Sequence, residues 1–331
     1  MRKSQITNHK SQTISNPQIP NTKKADRQWS FGFGDWSLST RDSVICGDAL
    51  DVLSAWPDDV VDCIVTSPPY YRQRDYRRES QLGQEATPEE YVEKLVAVFA
   101  QVRRVLKSTG TMWLVLGDKY ERGRQLGIPW RVALALEADG WILRSDIIWH
   151  KPNAMPLSVK TRPTTDHEYV FFFTRSARYY YDADAVREPH VTFTEASRMR
   201  GGRRHFHQRG GTPEIGKNRG NINLHDGRWD QAFHPLGRNR RTVWSIPLSK
   251  FREAHFAVFP EPLVETCILA GSPRGGLVLD PFLGSGTTAV VARRLDRHYV
   301  GIDCVPEYCA MAQRRLAATA RNAECKVQSA E

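Results

Sequence analysis

An α/β fold with a mostly parallel sheet assembled out of chain order is predicted by three observations. A glycine loop follows a strand late in the chain, only 51 residues remain after Asp280, and the other strand-forming runs lie between residues 43 and 175. A doubly wound sheet nucleated at that loop cannot be completed downstream, so its remaining strands must come from the first half. The architecture is therefore circularly permuted.

Residues 1–28 are rich in Ser, Asn, Gln and Lys without an apolar stretch, and read as a disordered basic tail rather than a signal peptide. Ser43–Asp48 and Val61–Thr66 read as short buried strands. Thr87-Pro88-Glu89-Glu90 is a capping box with proline at the first helical position. It opens an amphipathic helix with Tyr91, Leu95, Val98, Phe99, Val102 and Leu106 on one face, and Gly110 ends that unit. Thr111–Leu116 is the next strand, a helix runs from Pro129 to Asp139, and Trp141–Trp149 with Glu168–Phe173 form an antiparallel pair at a sheet edge. A helix over Pro262–Leu269, the strand Leu277–Asp280, a helix reaching Leu295, the strand Tyr299–Asp303 and a helix from Pro306 complete the order.

The run Val61–Thr66 ends abruptly in Ser67-Pro68-Pro69-Tyr70. Two prolines lack N–H groups and fix φ, so the backbone leaves the sheet rigid and extended, with Ser67 Oγ and bare carbonyls pointing outward. Acceptors without competing donors, beside an aromatic ring, suit a planar base bearing an exocyclic amine. At the other end, Gly284-Ser285-Gly286-Thr287-Thr288 between a strand and a helix brings backbone close to an adenosine-type cofactor. The same glycines also fit a loose dinucleotide pattern, which keeps a nicotinamide enzyme open, but the loop would then normally precede the catalytic half. No Gly-Lys-Ser/Thr follows, which sets a P-loop aside.

Charge is distributed unevenly. Residues 186–252 hold fourteen Lys/Arg against five Asp/Glu, a surplus of +9, and the tail contributes +5 of the net +10. An acidic body thus carries a basic insert, the footprint of polyanion binding. Eight glycines fall between Gly201 and Gly237, interleaved with Arg203, Arg204, Arg209, Arg219 and Arg228. Six cysteines without C-x-x-C spacing imply reduced thiols in a cytoplasmic protein, with neither a metal site nor a disulfide framework. No apolar run approaches a membrane span, so no membrane partner is expected.

Five motifs in this order resemble the β-class DNA methyltransferases that modify exocyclic amino groups: Thr66–Tyr70, Trp149–Asn153 (W-H-K-P-N), Arg162–Glu168 (R-P-T-T-D-H-E), Phe256–Pro260 (F-A-V-F-P) and Asp280–Thr288. The similarity spans about residues 43–320 apart from the basic insert. It implies a circularly permuted Rossmann-like methyltransferase sheet, mostly parallel with one antiparallel hairpin edge, carrying a basic irregular target-recognition insert. The implied organisation is a tail (1–28), a catalytic half (29–185), a target-recognition region (186–252) and an S-adenosylmethionine-binding half (253–331).

The resemblance implies that Asp280, Phe282, Gly284 and Gly286 shape the cofactor pocket, with Ser285, Thr287 and Thr288 at the helix N-terminus. Asp303 would hold the ribose where many relatives carry glutamate, Asp48 would meet the adenine, and Phe259 and Pro260 would pack around the methionine part. Catalysis falls to Ser67, Pro68, Pro69 and Tyr70. Ser67 Oγ and the Pro68 carbonyl would hold the amine, and Tyr70 would stack on a base flipped from double-stranded DNA. Arg72 and Arg74 would clamp phosphates, and the five arginines of the insert would contact DNA. Serine at the first catalytic position points to cytosine N4, with adenine N6 as the alternative. The chain would act as a monomer or homodimer, and any partner restriction endonuclease would be a separate chain. An inactive DNA-binding body and methylation of RNA or of a protein glutamine are the remaining rivals.

Overall fold

A computed structural model of the protein describes residues 41–74, 81–189, 236–248 and 260–328. The first strand, β1 (Ser43–Cys46), leads into the short helix α1 (Ala49–Ser54), and β2 (Val61–Thr66) follows. Helix α2 (Pro88–Val105) begins as its capping box dictates. Thr87 Oγ1 caps the helix by accepting from Glu90 N at 3.2 Å, while Glu90 Oε2 reaches one residue beyond the cap and accepts from Ala86 N at 3.1 Å.

The helix stops one turn earlier than the sequence suggests. Leu106 is already extended and opens β3 (Leu106–Leu116). The register against β2 jumps from Val61↔Leu106 to Cys63↔Thr111, so the break expected at Gly110 is a bulge inside a longer strand.

Downstream come the hairpin β4 (Tyr120–Glu121) and β5 (Arg124–Gln125), then α3 (Ile128–Ala138), β6 (Ile142–His150) and β7 (His167–Thr174). After β8 (Val243–Ser245), the chain closes with α4 (Glu261–Gly271), β9 (Leu277–Asp280), α5 (Thr287–Arg294), β10 (His298–Asp303) and α6 (Pro306–Gln328). Eight strands form one sheet in the order β1-β10-β9-β2-β3-β7-β6-β8. Neighbours from β1 through β3 are parallel, β3/β7 and β7/β6 are antiparallel, and β6/β8 is parallel. The expected antiparallel hairpin is present, yet the edge belongs to β8. Three residues with little strand signal of their own gain backbone partners on β6 and tuck Trp244 into the core.

Side chains alternate across the sheet and build two cores. Ile64, Met112, Leu114, Phe171 and Phe173 pack under α1, α2 and α3. Cys63, Val65, Trp113, Val115 and Phe172 pack under α4, α5 and α6. Burial pushes the Cys63 thiol up to about 12, which fits a packing role. Among the described residues, no helix is long and apolar enough to cross a membrane.

Within the 186–252 region, Val186, Trp244 and Ile246 belong to the core, and residues 190–235 lie outside the described ones. Glu188 and Arg238 exchange backbone hydrogen bonds of 2.9 and 2.8 Å, and the Glu188 carboxylate also pairs with Arg238 and Arg241.

Candidate active site

Strands β9 and β2 are neighbours, but the helices that follow them cover opposite faces: α5 packs in one core and α2 in the other. The connecting loops part at this switch point and leave a crevice at the carboxyl ends of the strands. A cleft of about 220 Å³ lies there, lined by Ser67, Pro68, Pro69 and Tyr70 on one lip and by Phe282, Gly284, Ser285, Thr287 and Asp303 on the other. Asp48, Arg74, Trp149, Lys151 and Glu168 are also part of its wall.

The two lips are tied together from behind by the buried Asp280. Thr66 Oγ1 donates to Asp280 Oδ1 at 2.7 Å, Thr288 Oγ1 donates to Oδ2 at 2.7 Å, and Phe282 N donates to Oδ1 at 3.1 Å. Burial outweighs these bonds and pushes the carboxyl up to about 6. Asp280 and Thr288 therefore stand behind the cleft, and Gly286 does so too, packed against Ala312 of α6.

On the glycine lip, Asp303 accepts from Gly284 N at 2.7 Å and from Val305 N at 2.8 Å. Each of its oxygens retains acceptor capacity. Burial raises this carboxyl above its ordinary value. Gly284 has φ of +54°, and a Cβ there would meet no protein atom within 4 Å. Packing does not demand this glycine; the left-handed backbone does, and the space in front of it stays free. A nucleoside cofactor with vicinal hydroxyls fits such a lip.

Asp48 faces the cleft, but its carboxylate is the N-cap of α1, accepting from Leu50 N at 2.9 Å and Asp51 N at 3.3 Å. Pro260 is buried at the N-terminus of α4 and is not part of the cleft wall, and Phe259 lies outside the described residues.

The proline lip is held by residues distant in sequence. Its carbonyls are not all bare, because Tyr91 OH donates to the Pro69 carbonyl at 2.8 Å. Ser67 Oγ donates to Tyr70 OH at 3.3 Å, and Tyr70 OH donates to Glu168 Oε2 at 2.8 Å. Lys151 Nζ pairs with Glu168 Oε1 and lies 4.4 Å from the centre of the Trp149 ring. Burial, reinforced by the Glu168 charge, holds the Tyr70 phenol well above its usual range, so it remains a neutral donor. The ring passes so close to Gly117 that a Cβ there would stand 2.7 Å from it.

Arg72 is only half available for a phosphate. Its guanidinium donates to the Glu85 and Ala86 carbonyls at 3.2 and 2.8 Å and lies 3.6 Å from Glu121. Arg74 borders the cleft. Arg203, Arg204, Arg209, Arg219 and Arg228 lie outside the described residues. Sequence reasoning gives Glu168, Lys151 and Trp149 no role. The signal is present nonetheless, since all three sit in the W-H-K-P-N and R-P-T-T-D-H-E motifs.

A Rossmann-like sheet whose switch-point crevice joins a carboxylate-braced glycine loop to a diproline corner defines the class of S-adenosylmethionine-dependent amino-methyltransferases. The DNA methylase family of N6 and N4 methyltransferases matches residues 61–314, and the chain belongs to that family. It is 41% identical over 299 residues to the type II methyltransferase M.Cfr9I of Citrobacter freundii, covering 82% of this chain and 86% of that one. With M.SmaI of Serratia marcescens it shares 38% identity over 302 residues, covering 82% and 90%. Among solved structures, PvuII DNA methyltransferase (cytosine-N4-specific) matches with a TM-score of 0.60 at 21% identity, over 82% of this chain and 85% of that one, a likeness of fold. A DNA modification methylase from Thermus thermophilus, complexed with S-adenosyl-L-methionine, matches with a TM-score of 0.54 at 27% identity, over 84% and 93%.

Proposed function

We propose that this protein methylates the N4 amino group of a cytosine within a short duplex sequence, as the modification enzyme of a restriction-modification pair. The observation that carries the choice of amine is Ser67. A neutral hydroxyl, and not a carboxylate, opens the proline corner at the cleft, and in the family pattern serine goes more often with cytosine N4 and aspartate with adenine N6. Relatives named as type II methyltransferases support the restriction-modification setting, in which the nuclease is a separate chain.

When bound, S-adenosylmethionine supplies an electrophilic sulfonium methyl. The spare acceptor capacity of Asp303 would take the ribose hydroxyls, and Asp48 and Phe282 would border the adenosine; Phe259 is the residue left for the methionine end, since Pro260 stands outside the cleft wall. Gly284, Ser285 and Thr287 approach it with backbone, and Asp280, Gly286 and Thr288 keep that loop in shape.

An aromatic amine is a weak nucleophile because its lone pair is delocalised into the ring. Ser67 Oγ and the Pro68 carbonyl accept its two N–H bonds, favour a pyramidal nitrogen and free the lone pair. Pro68 and Pro69 fix these acceptors in advance, so positioning and preorganised electrostatics supply the acceleration. Ser67 need not act as a strong base, since the amine proton becomes acidic only after the nitrogen has gained positive charge. Tyr70 presents its ring to a base taken out of the stack. Residues 186–252 read the sequence, and their arginines, with Arg74, meet phosphates.

Digesting DNA from cells expressing the protein to nucleosides tests this reading. N4-methyl-2′-deoxycytidine is the expected product, and N6-methyl-2′-deoxyadenosine alone would replace cytosine by adenine as the substrate.

A further inference from the structure

We infer that Glu168, held by Lys151, is a positioning residue that sets the direction of the hydrogen bonds at the proline corner and so turns the lone pairs of Ser67 toward the substrate amine. The inference rests on the reading of Ser67 as an acceptor and adds what makes it one.

A hydroxyl can donate as easily as it accepts, so Ser67 alone is ambiguous toward an amine. The chain of bonds behind it removes the ambiguity. An ionised carboxylate only accepts, so Tyr70 must give its single proton to Glu168, 2.8 Å away. The phenol oxygen can then serve Ser67 only as an acceptor, and Ser67 Oγ donates to it at 3.3 Å. With that proton committed, only lone pairs remain on Ser67 for the cleft that both residues line. Reversing the chain would aim the Ser67 proton at an N–H bond, donor against donor.

The anchor is placed to hold this direction. Glu168 on β7 faces Trp149 on β6 in the antiparallel register, and Lys151 lies just beyond the end of β6. The Lys151 and Glu168 side chains are only 14% and 19% exposed. The ammonium sits over the Trp149 ring, and Trp149 Nε1 is itself fixed to the Ile246 carbonyl at 2.8 Å. Substrate contact is left to Ser67 and the ring of Tyr70; Glu168 works through them.

The test is E168Q, measured by single-turnover methyl transfer alongside affinities for DNA and S-adenosylmethionine. Lys151 holds the amide oxygen, which turns the amide NH2 toward Tyr70 and drives the phenol proton onto Ser67. The methyl-transfer rate should fall about 100-fold, with both affinities unchanged within twofold or so. Y70F keeps the ring but cuts the relay, frees Ser67 to rotate and should cost about tenfold.

The two changes should not multiply: E168Q/Y70F should return to the Y70F level and so be faster than E168Q alone. A purely structural Glu168 would give a double variant slower than either single one, and that outcome overturns the inference. So does an E168Q protein within threefold or so of the wild-type rate. Should E168Q fail to fold, K151M gives the same comparison, with a loss of about tenfold beside Tyr70 and none in Y70F. S67A separates the two levels. An active S67A sinks the acceptor reading itself, whereas an inactive S67A with an active E168Q sinks only the relay.

Discussion

The two lips of the crevice are rigid for different reasons. The glycine lip is braced by carboxylates that pull backbone inward: Asp280 holds Phe282 N, and Asp303 holds Gly284 N. Its constraints come from its own residues and from the adjacent strands. The proline lip needs no such bracing of its backbone, because Pro68 and Pro69 fix φ. Its polar groups are instead aimed by Tyr91 on α2 and by Glu168 and Lys151 on the antiparallel hairpin. Damage to the first lip should appear in stability and cofactor affinity, and damage to the second in the rate of methyl transfer.

The largest effect is expected at Asp280. D280A leaves two hydroxyls and an amide without their acceptor, at about 1 kcal/mol or more each. Denaturant unfolding at about pH 5 should show a loss of about 4 kcal/mol, and calorimetry the loss of S-adenosylmethionine binding. Retained affinity would show that the glycine lip holds its shape without the carboxylate.

A smaller effect is expected in the pH dependence of stability. Burial raises the Asp280 carboxyl from the ordinary 3.8 to about 6, so the folded state favours the protonated form. That contribution is present below about pH 4 and is lost as pH rises through about 6. Relative to D280N, which has no such proton, the wild-type protein should lose roughly 2 kcal/mol between about pH 4 and pH 7. A difference flat in pH would mean that the three hydrogen bonds, and not burial, govern this group.

The smallest effect belongs to the proline lip. In G117A the new methyl would stand 2.7 Å from the Tyr70 ring and push it into the cleft. Methyl transfer should slow about tenfold with little change in cofactor affinity or unfolding midpoint. A matching drop in cofactor affinity would erase the distinction between the lips.

This division explains what can be read from the sequence. The glycine loop, Asp280 and Asp303 lie within one strand–loop–helix–strand unit, and β2 ends at its prolines because proline cannot extend a ladder. The permuted order expected from the late glycine loop is present in the sheet, where β10 and β9 stand between β1 and β2. Glu168 and Lys151 are visible as motif residues but not as partners of Tyr70, because 98 positions separate Glu168 from Tyr70 and only the β6/β7 register brings Lys151 beside Glu168. Sequence reasoning puts Asp48 at the adenine but does not show that an aspartate just before a helix is also its N-cap, which takes up Oδ1 while the residue still lines the cleft. Strand β8 escapes such reasoning because three residues carry no usable period, and pairing with β6 alone makes them a strand.

The seam between Glu188 and Arg238 bears on how the chain between them can vary. Two backbone bonds close it, and neither residue belongs to the eight-stranded sheet. For a flexible connection whose ends already meet, each doubling of length costs only about 0.6 kcal/mol. The stretch between these two residues can therefore change in length while the eight strands keep their register, because the closure point lies outside the sheet.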